Sequence, residues 1–93
     1  MRRAAKVDAN QSEIVRGLQA MFGPDAVFDC SGVGHGFPDI MVGVRGVNIL
    51  VELKTDRGRL THDQVYFHRE WLGQVVVAHT LDDVLREIAR LTT

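Results

Sequence analysis

Between residues 10 and 22 the apolar positions Ile14, Val15, Leu18, Met21 and Phe22 recur at helical spacing, and Gly23 with Pro24 ends the pattern. Ala26 to Cys30 then reads as a short strand, and the glycine-rich "SGVGHGF" that follows reads as a loop leading to Pro38. From Pro38 to Lys54 the stretch "PDIMVGVRGVNILVELK" predicts two apolar strands joined at Arg45-Gly46. "THDQVYFHREWLG" predicts a second helix, with Thr61 as its cap, Val65, Phe67, Trp71 and Leu72 as its apolar positions and Gly73 as its stop. "QVVVAH" is a continuous β-branched run, as expected of a strand covered on both faces. A final helix follows Thr80 and carries Leu81, Val84, Leu85, Ile88 and Leu91 on one stripe.

The predicted order is αβββαβα. The link from the strand ending at Lys54, through the second helix, to "QVVVAH" is a βαβ crossover and so requires a parallel pair. The expected fold class is α/β, with a mixed sheet flanked by helices. There is no internal repeat or linker, so a single domain covers residues 1–93.

Charged residues complicate this hairpin. With Arg45 and Gly46 as a two-residue loop, Val44 faces Val47, and counting outward along both strands places Asp39 opposite Glu52, whereas a three-residue loop would pair Ile40 with Glu52. Residues paired in this way share a face, and the alternation of the strand brings Lys54 to the same face as Glu52. Opposed like charges cost about 0.2–1 kcal/mol, and more when desolvated, so a neutralising group is expected. A Mg²⁺ ion is the natural one, since it takes one or two carboxylates and keeps water or phosphate oxygens for the rest. Asp39 and Glu52 supply that pair, the backbone carbonyl of Leu53 offers a further ligand, and Lys54 is placed to hold an attacking water or to offset phosphate charge. This is the chemistry of phosphodiester hydrolysis. A solvated edge hairpin accounts for the same three charges without catalysis.

These residues also resemble a known family. "GFPDIMVG" followed by "ILVELKTDRGRLTHDQVYFHREW" is similar to the virus-type replication-repair nuclease (VRR-NUC) domain of the PD-(D/E)xK superfamily, over essentially the whole chain. Pro38-Asp39 resembles the PD element, Glu52-Leu53-Lys54 the ExK element, Gln64 the glutamine of the next helix, and Glu13 the first-helix glutamate that many members add to the metal site. The resemblance implies a restriction-endonuclease-like core and Mg²⁺-dependent cleavage of DNA, with Mn²⁺ as a substitute. It also implies a homodimer related to small phage and bacterial resolvases of Holliday junctions. Gln64 and Glu13 have a second reading, since each stands three residues after a potential cap, Thr61 and Asn10. Gly17 and Ala20 share the face of Glu13 and suggest room there for an approaching ligand.

Composition narrows the partners. The 93 residues are 45% hydrophobic and 25% charged with a net charge of −1, so DNA contact requires a local basic patch rather than an overall field. Arg57 and Arg59 after the central strand, His35 in the glycine loop, and a basic arm of Arg2, Arg3 and Lys6 are the candidates. His35, like His62, His68 and His79, equally reads as a surface histidine, and the lone Cys30 as a half-buried thiol. No apolar run approaches the roughly 20 residues that span a bilayer, and no secretory signal is present, so a cytoplasmic protein of a bacterial or phage-infected cell is expected. A noncatalytic nucleic-acid-binding or assembly module with the same fold is the alternative function.

Overall fold

Arg45 and Gly46 both adopt positive φ, 54° and 79°. That is the requirement of a type I′ hairpin turn, whose twist matches the strands it joins. This turn connects β2 (Ile40–Val44) to β3 (Val47–Leu53), with Val44 against Val47 and Ile40 against Val51. The register is the one expected, and continued one step past Ile40 and Val51 it sets Asp39 across from Glu52.

A computed structural model describes residues 10–93; the basic arm of Arg2, Arg3 and Lys6 lies outside the described residues. Around the hairpin stand α1 (Gln11–Phe22), a 3-10 turn (Pro24–Ala26), β1 (Val27–Asp29), α2 (His62–Glu70), β4 (Val75–Ala78) and α3 (Leu81–Leu91). The four strands lie in the order β1-β2-β3-β4; β3 and β4 are parallel and the other pairs antiparallel. The result is an α/β domain with a mixed sheet and three helices.

One face of the sheet makes the core. Ile40, Val42, Ile49, Val51 and Leu53 meet Ile14 and Leu18 of α1 and Val84 and Ile88 of α3, each burial contributing roughly 1.5–3 kcal/mol. A Cβ on Gly17 would stand 2.6 Å from the Leu81 side chain. Gly17 therefore lets α1 and α3 approach closely, and the opening for a ligand expected beside it is filled by Leu81.

Two expectations about the other face are corrected. No residue of α2 is buried, Val65 is exposed and Leu72 fully so, and the helix is capped at Trp71, before Gly73 is reached. Instead of an apolar stripe, an aromatic cluster holds α2: Phe37 and Phe67 meet edge to face at 5.3 Å, and Phe67 stacks on Trp71 at 4.9 Å. The β4 strand is not covered on both faces. It is an edge strand with Val77 exposed, and α3 is a helix that packs on it. Among the described residues no helix is long and apolar enough to cross a membrane.

Candidate active site

The open end of the hairpin holds Asp39 and Glu52. Asp39 is pinned through its backbone and its side chain: its carbonyl accepts from the Cys30 N–H at 2.8 Å, and its Oδ2 accepts from the Leu53 N–H at 2.7 Å. Glu52, next along β3, is only 1% exposed. Its Oε2 accepts from Gln64 Nε2 at 3.1 Å and lies 3.6 Å from Lys54 Nζ, while its Oε1 is buried and no donor among the described residues bonds to it.

Burial, and then the facing Asp39 carboxylate, push the Glu52 carboxyl up to about 8, against the pull of Lys54. Near neutrality such a pair demands a proton or a cation between its oxygens. The N–H and C=O of one strand residue point the same way, so the Leu53 carbonyl faces the Asp39 side with its N–H. Two carboxylates, one of them with the unsatisfied Glu52 Oε1, and a backbone carbonyl are hard-oxygen donors that suit Mg²⁺, with water or phosphate completing the shell. Among the described residues no three His, Cys, Asp or Glu side chains gather around a possible metal position, so Asp39 and Glu52 would be the acids such an ion rests on, beside the Leu53 carbonyl.

Gln64 reaches Glu52 because α2 starts where it does. Thr61 Oγ1 accepts from the Gln64 N–H at 3.2 Å, and Gln64 Oε1 accepts from the Thr61 N–H at 2.8 Å. The capping box expected of Gln64 is present, and the same amide does more: its oxygen closes the box and its nitrogen holds Glu52. The glycine loop seats this helix start. A Cβ on Gly36, at φ 81°, would fall 2.3 Å from the Asp63 carbonyl oxygen, so only glycine fits there.

Sequence reasoning missed the support beneath Lys54. Its carbonyl accepts from His79 Nδ1 at 2.9 Å and, at 3.5 Å, from Asn10 Nδ2, which also donates to the His79 carbonyl at 2.6 Å. Asn10 makes no side-chain cap on α1; its amide spans the ends of β3 and β4 instead. No local signal marks this, since the partners lie 44 and 69 residues away.

The remaining candidates are dispersed. Glu13 is exposed on α1 and does not join Asp39 and Glu52 in a three-acid group. Arg57 and Arg59 are exposed in the turn after β3, and His35 is exposed in the glycine loop. Lys6 lies outside the described residues. Two of the histidines are not surface residues as expected: His68 and His79 are half-buried, and burial lowers the pKa of His68 below the ordinary imidazole value. Cys30 is fully rather than half buried, and burial raises its thiol pKa.

In comparisons with known proteins the chain matches no family model, no curated protein and no solved structure. What the site can do therefore rests on its own donors: a carboxylate pair short of positive charge, an ammonium beside it, and an amide fixing one acid.

Proposed function

We propose that this chain is a divalent-metal-dependent endonuclease of the VRR-NUC type, with a restriction-endonuclease-like core, that hydrolyses phosphodiester bonds in branched DNA such as Holliday junctions. The observation that carries the reading is the buried Glu52, facing Asp39 with one oxygen unpartnered and with Lys54 beside it. The αβββαβα order and the contact of Gln64 with Glu52 support it.

Asp39, Glu52 and the Leu53 carbonyl would hold Mg²⁺, or Mn²⁺ in its place. When bound, the ion supplies Lewis-acid polarisation of a phosphate oxygen and lowers the pKa of a coordinated water. Gln64 keeps Glu52 in the orientation that binding requires, and Asp39 is kept in place by the Leu53 N–H. Lys54 orients the attacking water and offsets the charge that builds on the phosphate. The water oxygen bonds to phosphorus as the ester bond to the leaving oxygen breaks; one proton goes to solvent and the leaving oxygen takes another. Arg57 and Arg59 grip the backbone beside the site, and His35 flanks the loop that enters it. A homodimer would present two such sites to opposite strands of a junction.

The test is cleavage of labelled four-way junction, flap, single-stranded and duplex DNA with Mg²⁺, Mn²⁺ or EDTA, for wild type and Glu52→Gln. Metal-dependent products that favour the junction and vanish in the variant are expected. DNA binding with no products under any metal would instead make the chain a noncatalytic binding module.

A further inference from the structure

The face of the sheet that carries Asp39 and Glu52 does not end with them. The next pair on that face is Met41 and Leu50, roughly 7 Å along the strands, within the reach of a single nucleotide. These two line a groove of about 270 Å³, together with Phe37, Trp71 and the exposed amides Asn48 and Gln74. Among the described residues no charged side chain lines it. It is therefore no phosphate site, and its volume, just under the roughly 300–1,000 Å³ of ordinary ligand pockets, suits one flat ring system.

Trp71 is mounted for such a ring. Phe67 stacks on the indole at 4.9 Å and Phe37 meets it at a right-angled 6.4 Å, yet 44% of the residue remains exposed beside the groove. Gly73 lets the indole lie against the chain, since a Cβ there would come 2.7 Å from Trp71 Nε1. An aromatic surface held rigid but left open loses little entropy when a second ring stacks on it.

We propose that this groove receives an unpaired nucleobase of the DNA strand lying on the site, stacked on Trp71 and read at its edge by Asn48 and Gln74. The inference rests on the nuclease reading for the identity of the strand, and it names what that reading leaves open, which is the feature of branched DNA that is recognised. Bases in a continuous duplex are stacked and paired and cannot enter. Bases at a junction, flap or single strand have a free face and a free edge. A second copy of the chain is the less suited occupant, since a protein interface buries about 800 Å² on each partner whereas this groove admits one ring.

Trp71 is the sole tryptophan of the chain, so its fluorescence reports the groove directly. The experiment titrates the full wild-type chain in EDTA, where nothing is cut, with a short single strand, the same strand made abasic, and its paired duplex. A roughly twofold or larger quench by the base-bearing strand is expected, with little by the other two, and affinity for the abasic strand on the order of tenfold weaker. Equal quenching by base-bearing and abasic strands, or no quenching despite binding, overturns the proposal. So does an emission change that follows protein concentration alone, which would mean that a second copy covers the groove. Because the readout needs no cleavage, quenching without metal-dependent products would retire the nuclease and keep the base pocket, and products without quenching would do the reverse.

Discussion

Gln64 donates its side-chain nitrogen to Glu52 at 3.1 Å while its oxygen accepts from the Thr61 N–H at 2.8 Å, so one amide joins the start of α2 to the buried acid of β3. Gln64→Ala removes both bonds, and a stability loss of about 1–2 kcal/mol is expected. Thr61→Ala, which leaves the bond to Glu52 in place, should cost about 1 kcal/mol. Urea denaturation compares the two, and equal stability of Gln64→Ala and wild type would mean that the amide contributes nothing.

The Glu52 carboxyl gives a pH dependence whose sign can be worked out. Its folded value of about 8 stands above its ordinary 4.5, so between these the native chain binds more protons than the unfolded one. Its contribution to stability is full below the lower value and lost as pH rises toward the upper. His68 acts in the opposite sense below its ordinary 6.5, because burial disfavours its charged form. The clean window is therefore pH 6.5 to 8, where metal-free chain should lose up to about 1.4 kcal/mol per pH unit. Urea midpoints in EDTA measure it, and a slope as steep in Glu52→Gln would assign the effect to another group.

Mg²⁺ should stabilise the wild-type chain through the same acids. A ligand present at a hundred times its Kd adds about 2.7 kcal/mol, and the rise in Tm should disappear in Asp39→Asn and in Glu52→Gln. Calorimetric scans with and without the metal decide this, independently of any cleavage assay. An equal rise in the variants would move the ion elsewhere.

Arg57 and Arg59 stand exposed next to the candidate catalytic strand. If both contact phosphates, the Arg57→Ala, Arg59→Ala double variant should lower the salt slope of DNA binding by about 2 and weaken all sequences alike. Binding isotherms over a range of salt concentrations measure the slope, and an unchanged slope would exclude both arginines from the interface.

Gly36→Ala should displace the loop from the start of α2, because the new methyl meets the Asp63 carbonyl and the backbone is left-handed there. A stability loss of about 1–3 kcal/mol is expected, together with loss of the bond between Gln64 and Glu52. Thermal melts and the Gln64 side-chain NMR signals report the two effects separately.

The order of elements and the hairpin register were legible because both follow from short-range rules. Strand alternation and a two-residue loop place Asp39 against Glu52 without any knowledge of the rest of the chain. The capping pattern likewise marked Gln64, although only the packing of α2 on the sheet shows that its second amide group is left over for Glu52. Apolar spacing misled at Val65 and Leu72, where an aromatic cluster at Phe37, Phe67 and Trp71 anchors the helix by a few rings instead of a stripe. It misled again at β4, since a β-branched run does not record whether a helix covers its second face. Asn10 offered a plausible local role as a cap, which concealed the distant one.

That distant role bears on when the protein becomes competent during synthesis. Every candidate site side chain from Asp39 to Gln64 precedes His79 in the chain and is made before it. The bonds of His79 to the Lys54 carbonyl and of Asn10 to the His79 carbonyl can close only after β4 has been made and has paired with β3. A nascent or prematurely released chain ending before that strand would hold all the acids and the lysine without the brace that sets the lysine's backbone. If the chain is the nuclease proposed above, its competence waits on β4 rather than on the last of the site residues to be made.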